Sequence, residues 1–442
     1  LVHLPYLIYT FSCISINASP NSGQDCLILT PYIKRGNASV ARKLSEVQSD
    51  KFFGIKSHSG FITVKEEYNS NLFFWFFPSM TESMVRTPWI IWLQGGPGVS
   101  SLVGLFELIG PLQVEDGEVL PRNVTWAREY SILFVDNPVG AGFSFTDDDR
   151  GYPDNEDDVG AQLLEFLWQF LEMFPELRRV PLFIAGQSYA GKYVPALAIQ
   201  IHRRQDPFNT INLRGIAIGN GLIHPQSTAH YSEFCSTLGL LEGPQIDHVK
   251  ELEEQFLHFI DEKRMVDAAN KYNETIEYIK RYTGVAIYNI NEDPSTQALA
   301  YEAFVTRRDV RSAIHAGNAT FHHNNQLVYK KMLPDIANTT KPFVEELLEH
   351  YGVMSYIGQL DLILGYSLAR HLYAELHWSR RQQYVNAPRK RLRRFANGSV
   401  VAYKKNGGNF VDVVIRRAGH MVAKDQPEVA KFVMDRFIED FK

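Results

Sequence analysis

The sequence predicts an α/β protein with a mostly parallel central sheet, interrupted once by a helical cap insertion. Three observations carry this. Short apolar runs ending in glycine or polar punctuation recur along the chain, and continuous runs of that kind mark strands buried on both faces. Amphipathic helical patterns lie between them, so strand and helix alternate. Over residues 222–335 the alternation gives way to long, charged amphipathic helices.

The elements follow in order. "LVHLPYLIYTFSCISINA" is an apolar run with tolerable cleavage residues at Ile16 and Ala18, which predicts a signal peptide over 1–18. The chain begins without methionine, so an N-terminally incomplete sequence is expected. "FITVKEEYNSNLFFWFFP" (61–78) reads as an antiparallel hairpin turning at Asn69 to Asn71. "WIIWLQGG" (89–96) and "SILFVDNP" (131–138) read as buried strands. In "NEDDVGAQLLEFLWQFLEMFPEL", Val159, Leu163, Phe166, Leu167, Phe170 and Leu171 fall on one helical face. The strands "PLFIAGQS" (181–188) and "LRGIAIGNG" (213–221) follow. The insertion comes next and includes "QIDHVKELEEQFLHFIDEKRMVDAANKY". Beyond it lie the strand "VMSYIGQLD" (353–361) and a hairpin, "SVVAYKKNGGNFVDVVI", turning at Asn406 to Gly408 and running into "VDVVIRRAGH" (411–420). The basic run Arg389 to Arg394, "RKRLRR", reads as a solvated loop. The expected organisation is a sheet core over 27–221, a helical cap over 222–335 and the rest of the core over 336–442.

Composition supports one large core. Of 442 residues, 45% are hydrophobic and 12% aromatic, which gives ample material for an interior and none of the depletion that marks disorder. A formal net charge of −5 supplies no basic field for nucleic acid. Beyond the leader no uninterrupted apolar stretch reaches the length of a membrane span, so a soluble mature protein is expected. Sequons stand at Asn17, Asn37, Asn123, Asn273, Asn318, Asn338 and Asn397, where chance gives roughly two or three, so secretory passage and N-glycans are expected. Cys13 would leave with the leader. Spacing alone does not decide whether Cys26 and Cys235 pair.

The chemistry centres on "GQSYAG". A G-x-S-x-G pattern is weak by itself, but here it follows a strand and precedes a helix, the setting that exposes a nucleophilic serine on a tight elbow. Ser188 is therefore the candidate nucleophile. A serine hydroxyl needs a base to take its proton and a third group to orient that base. Asp361, ending the strand "VMSYIGQLD", and His420, following "VDVVIRRAG", supply these in the chain order Ser, Asp, His. Both stand at strand ends, where active sites of open α/β sheets assemble. The tetrahedral intermediate needs backbone donors, and the N–H groups of Gly96 in "QGGPG" and of Tyr189 are the candidate oxyanion hole. His315, His322 and His323 invite a metal reading, but no carboxylate or cysteine spacing completes one, and they read as residues of the cap surface. No cofactor and no metal are called for.

Six stretches, "WLQGGPG", "FVDNPVGAGFSFTDD", "GQSYAGKYVPA", "GIAIGNG", "YIGQLD" and "AGHMVAKDQP", occur in an order that resembles the serine carboxypeptidase family, most closely its vitellogenic-like branch. The resemblance covers nearly the whole mature chain. It implies the α/β hydrolase fold with a helical cap, secretion or lysosomal delivery, removal of single residues from the C-termini of peptides and proteins, and the same three triad residues. It also implies that Gln94, Gly95 and Gln187 hold the substrate's terminal carboxylate.

Several positions depart from the family pattern. Gln187 replaces the usual glutamic acid before the serine. Leu108 stands where a partner acid is common, with Glu107 one place off. Val99 replaces a cysteine, and Ala423 a proline. Three activities are compatible with this pattern: a carboxypeptidase, an acyltransferase using the same acyl-enzyme, and a binding protein whose altered carboxylate site no longer turns over.

Overall fold

The computed structural model describes residues 25–204, 210–294, 299–394 and 398–442. The predicted leader, Cys13 and the sequons at Asn17 and Asn397 lie outside the described residues.

A ten-stranded sheet forms the centre. Its strands are β1 (His58–Lys65), β2 (Ser70–Phe77), β3 (Trp89–Leu93), β6 (Ser131–Val135), β7 (Leu182–Gln187), β8 (Leu213–Gly219), β9 (Gly352–Gly358), β10 (Lys390–Arg394), β11 (Ser399–Gly407) and β12 (Phe410–Ile415). They lie in the order β1-β2-β6-β3-β7-β8-β9-β12-β11-β10. The six central strands, β6 through β12, pair parallel, and the flanking hairpins pair antiparallel. A separate hairpin, β4 (Leu112–Glu115) with β5 (Glu118–Pro121), stands apart.

The apolar runs explain the centre. In β2 and β3, Phe74, Phe76, Trp89, Ile91 and Leu93 join the core on one sheet face, while Phe73, Trp75, Phe77, Ile90 and Trp92 join the core on the other. Successive side chains of a strand point to opposite faces, so a run with no polar position belongs under two layers of cover. Each fully buried Leu, Ile or Phe contributes about 1.5–3 kcal/mol, enough to make these strands a fixed frame. The helix Glu156–Met173 supplies part of that cover. Its cap is Asn155, whose side chain accepts from Asp158 N, and Val159, Leu163, Phe166, Leu167, Phe170 and Leu171 are all buried as its periodicity predicts.

Some expectations change. The first hairpin turns earlier than Asn69 to Asn71, through a short helical turn Glu66–Tyr68, and Asn69 closes it in the left-handed region at φ 47°. The second turns at Gly408 and Asn409, both with positive φ, rather than at Asn406 to Gly408. "RKRLRR" is not a loop: Lys390–Arg394 is the edge strand β10. Its charges are what an unpaired edge carries, and Arg389 beside it bonds the buried Asp412 at 2.6 Å. The helical run between β8 and β9 is broken at Lys263, whose φ is 59°, giving Pro244–Asp261 and Met265–Thr283. Cys26 and Cys235 are both free thiols; Cys26 donates to Ala316 O at 3.3 Å, and burial pushes Cys235 up to about 12. Among the described residues, no helix is long and apolar enough to cross a membrane.

Candidate active site

The parallel strands deliver the site residues to one end of the sheet. Leu93 pairs with Gly186, Gln187 with Gly219, and Gly358 with Ile415, so the residues just beyond these pairs leave the sheet side by side. Those residues are Gln94 to Gly96, Ser188, Asn220, Asp361 and His420.

Ser188 sits at φ 64°, between β7 and the helix Ala190–Arg203. A left-handed non-glycine residue costs on the order of 1–3 kcal/mol and persists only where its surroundings enforce it. Here Ser188 N donates to Gly219 O at 3.0 Å, while Ser188 O accepts from Gly191 N at 2.9 Å and Leu222 N at 3.0 Å. Behind the elbow, Tyr189 Oη donates to Asp335 Oδ2 at 2.6 Å and Lys192 Nζ pairs with the same oxygen at 2.9 Å, all fully enclosed. Glu156 is buried beside them, and burial raises its carboxyl well above the usual range.

Asp361 has no exposed surface. Its Oδ2 accepts from His420 Nδ1 at 2.8 Å and from Asn220 Nδ2 at 2.6 Å, and its Oδ1 accepts from Ile363 N at 3.0 Å. With Nδ1–H turned to the carboxylate, the neutral imidazole keeps Nε2 as a proton acceptor. The backbone of His420 is held from two sides. Its N–H donates to Tyr288 O at 2.6 Å, and its carbonyl accepts from Gln187 Nε2 at 2.9 Å.

Ser188 and His420 line one cavity of about 670 Å³, together with Gln94, Gly96, Tyr189 and Gln187. Among the described residues, neither the Gly96 N–H nor the Tyr189 N–H enters a hydrogen bond. Gly95 packs against the elbow: a Cβ there would lie 2.5 Å from Tyr189 N and 2.8 Å from the Ser188 Cβ. Gly96 has φ 116°, which side chains rarely adopt. Gln94 N donates to Ser101 Oγ at 3.0 Å and its Oε1 accepts from Trp92 Nε1 at 3.2 Å. The structure thus brings together every residue singled out at the strand ends.

The helical side of the cavity carries Tyr272, Ile276, Glu277, Lys280, Tyr288, Leu299, Tyr329 and Ile336. Lys424 and Asp425 close the rim beside His420. Asp425 accepts from Gly419 N at 2.7 Å, and burial raises its carboxyl. Leu108 is buried in the core, while Glu107 pairs with Lys424 at 3.2 Å and so reaches that rim from one place along. Of the three histidines, only His322 is exposed. His315 is wedged against Ser59 of β1 at 3.1 Å, and His323 lines the cavity and meets Tyr301 Oη at 2.6 Å, so both are half-buried and engaged with the core side. Sequence reasoning missed Asn220 as a functional residue. Its signal was available in "GNG" directly after a buried strand.

Comparison with known proteins fits this geometry. The serine carboxypeptidase family profile matches residues 47–440. The chain is 38% identical to the venom serine carboxypeptidase of Apis mellifera, over 93% of this chain and 90% of that protein. It is 38% identical to the probable serine carboxypeptidase CPVL of Homo sapiens, over 97% and 92%. With the vitellogenic carboxypeptidase of Aedes aegypti it shares 36%, over 93% and 89%. The crystal structure of Kex1Δp, a prohormone-processing carboxypeptidase from Saccharomyces cerevisiae, superposes with a TM-score of 0.81 at 23% identity, over 90% of this chain and 96% of that one. The chain therefore belongs to the serine carboxypeptidase family: it is a serine-type carboxypeptidase hydrolase on the α/β hydrolase fold.

Proposed function

We propose that hydrolysis runs through an acyl-enzyme on Ser188, with His420 as general base and acid and Asp361 orienting it. His420 Nε2 takes the Ser188 proton as Oγ attacks the carbonyl carbon of the substrate's last peptide bond. The developing oxyanion takes the N–H groups of Gly96 and Tyr189. The C–N bond breaks, His420 returns the proton to the departing amino acid, and water then cleaves the ester by the same route in reverse. The terminal carboxylate is held by Gln94, Gly95 N–H and Gln187. The observation that carries this reading is the pairing of a left-handed Ser188 with the enclosed His420–Asp361 contact at 2.8 Å, at the ends of adjoining strands.

The helices of 222–335 act as a cap that admits flexible chain ends. The cavity walls they supply, Tyr272, Ile276 and Tyr329 among them, support this. The leader read over 1–18 and the excess of sequons support passage through the secretory pathway, to secretion or the lysosome, with N-glycosylation. Exposed Asn37, Asn123 and Asn318 are accessible for modification.

The test is release of free amino acids from N-blocked dipeptides of varied last residue, alongside labelling by a fluorophosphonate. Turnover with labelling supports the reading. Labelling without turnover on any dipeptide, or cleavage within a long peptide blocked at both ends, sinks the exopeptidase mechanism or the cap's role respectively.

A further inference from the structure

Away from the cavity, His230, Glu233 and His371 converge. His230 caps the helix Tyr231–Thr237 and Glu233 lies one turn in, while His371 comes from the helix Tyr366–Glu375. One ligand-type atom from each lies within 4.8 Å of the others. None of the three lines the active-site cavity.

We propose that His230, Glu233 and His371 form a divalent transition-metal site of the zinc type, which joins the first helix after β8 to the helix that follows Asp361. Two imidazoles and one carboxylate are the donor set that zinc takes, with a solvent molecule filling the fourth position.

Two features beyond proximity support it. The Nε2 of His371 is shut off from water and makes no hydrogen bond, and Glu233 Oε2 lies 3.7 Å from it. A buried ring nitrogen without a partner is costly to leave, and a metal satisfies it. The other Glu233 oxygen accepts from Arg370 Nη2 at 2.6 Å, so the carboxylate is already oriented by an outer partner and Oε2 is left for the ion.

The rings of His230 and His371 stack at 3.6 Å between centroids, with planes 12° apart. Two imidazoles stacked face to face do not aim at one point, so binding both to a single ion requires one ring to turn out of the stack.

The consequence reaches the active site through the chain. Tyr231, next to His230, donates its hydroxyl to Ile363 O at 2.6 Å, and Phe234 packs on Gly365. The segment 361–365 so clamped begins with Asp361 and leads into the helix that bears His371.

The experiment titrates the purified, chelator-treated full chain with Zn²⁺ and follows uptake calorimetrically. In parallel, Co²⁺ is added as an optical probe of four-coordinate nitrogen and oxygen ligation. The expected result is uptake of about one ion per chain, a melting temperature that rises with free Zn²⁺, and a visible Co²⁺ spectrum. His371→Ala and Glu233→Gln should each weaken uptake by more than the 10–100-fold that loss of an outer partner costs. Glu233 is exposed, so its variant keeps the test open if His371→Ala fails to fold. Far-ultraviolet circular dichroism and the melting temperature without added metal report that each variant is folded. No stoichiometric uptake, or uptake unchanged in His230→Ala/His371→Ala, overturns the site.

Discussion

The active-site cavity has two walls built on different principles. One wall is the row of strand ends, where Ser188, Asn220 and Asp361 are placed by the backbone of parallel strands buried on both faces. The other is a set of side chains, Tyr272, Ile276, Lys280, Tyr288 and Tyr329, carried on helices and loops between β8 and β9. The first wall has almost no freedom, because shifting any strand end moves a ladder and two cores. The second adjusts by rotamer. Chemistry that needs atoms fixed to fractions of an ångström belongs on the first, and recognition of varied side chains belongs on the second.

The largest effect that would break this division concerns the first wall. Ser188→Ala and His420→Ala should each lower kcat by about 10⁴-fold or more, and the double variant should fall little further, because the members act as a unit. Substantial peptide turnover by Ser188→Ala protein removes the assignment.

A second expectation marks what pH does to the sheet as a whole, apart from the cavity. His58 of β1 lies against Phe174 and Phe76, and burial lowers its pKa from 6.5 to about 4. The unfolded chain takes a proton below its own pKa of 6.5, while the folded chain does not until about 4. Stability from this group is therefore complete above 6.5 and lost as pH falls toward 4, by about 3 kcal/mol in all. Urea unfolding of the natural protein and of His58→Gln at neutral pH and near pH 4.5 measures it. The natural protein should lose roughly 2–3 kcal/mol more than the variant on acidification. Equal losses would place the acid sensitivity elsewhere.

Asn220 sharpens the first wall. Its Nδ2 is one of two donors to Asp361 Oδ2, and its Oδ1 accepts from Gly358 N at 3.2 Å. A hydrogen bond to a charged group is worth about 1.5–3 kcal/mol, so Asn220→Ala should lower kcat roughly 10–100-fold with KM little changed. A change in KM alone would show that Asn220 serves binding and not the orientation of Asp361.

The second wall should answer differently. Ile276→Ala, which removes apolar surface from the cavity, should cut kcat/KM by about 10-fold for dipeptides with bulky side chains and leave kcat near its natural value. A fall in kcat of that size with KM unmoved would erase the distinction between the walls.

The same contrast explains what could be read in the sequence. Strands such as "WIIWL" and "PLFIAG" announce themselves because two-sided burial forbids polar residues, and the site follows because it sits where those runs end. "RKRLRR" was misleading because an edge strand satisfies half its backbone in water and needs no apolar pattern. His323 was misplaced because its partner, Tyr301, is 22 residues away, and no local pattern encodes such a distance. The helices of the second wall could be seen as amphipathic, but not which of their residues would face the cavity.

Gln187 lies at the seam between the walls, and its effect is the smallest and the most conditional on pH. Its Nε2 already donates one N–H to His420 O at 2.9 Å, so the amide ties β7 to the loop that carries His420. An amide nitrogen has two hydrogens, and the second is free to meet a substrate carboxylate in the cavity that Gln187 lines. A glutamic acid here could do only one of these tasks, and only while protonated. Once ionised it would face the His420 carbonyl and the substrate carboxylate as a second anion. Gln187→Glu should therefore leave kcat/KM close to natural below the pKa of the new acid, near 4.3 when exposed and higher at this enclosed position. Above that pKa kcat/KM should fall by up to about 10-fold per pH unit, while the natural protein keeps its activity toward neutral pH. Measuring kcat and KM separately between roughly pH 4 and 8 distinguishes the two tasks: lost carboxylate recognition raises KM, whereas a slackened His420 loop lowers kcat. Identical profiles for the two proteins would mean that the amide clamps neither the loop nor the substrate.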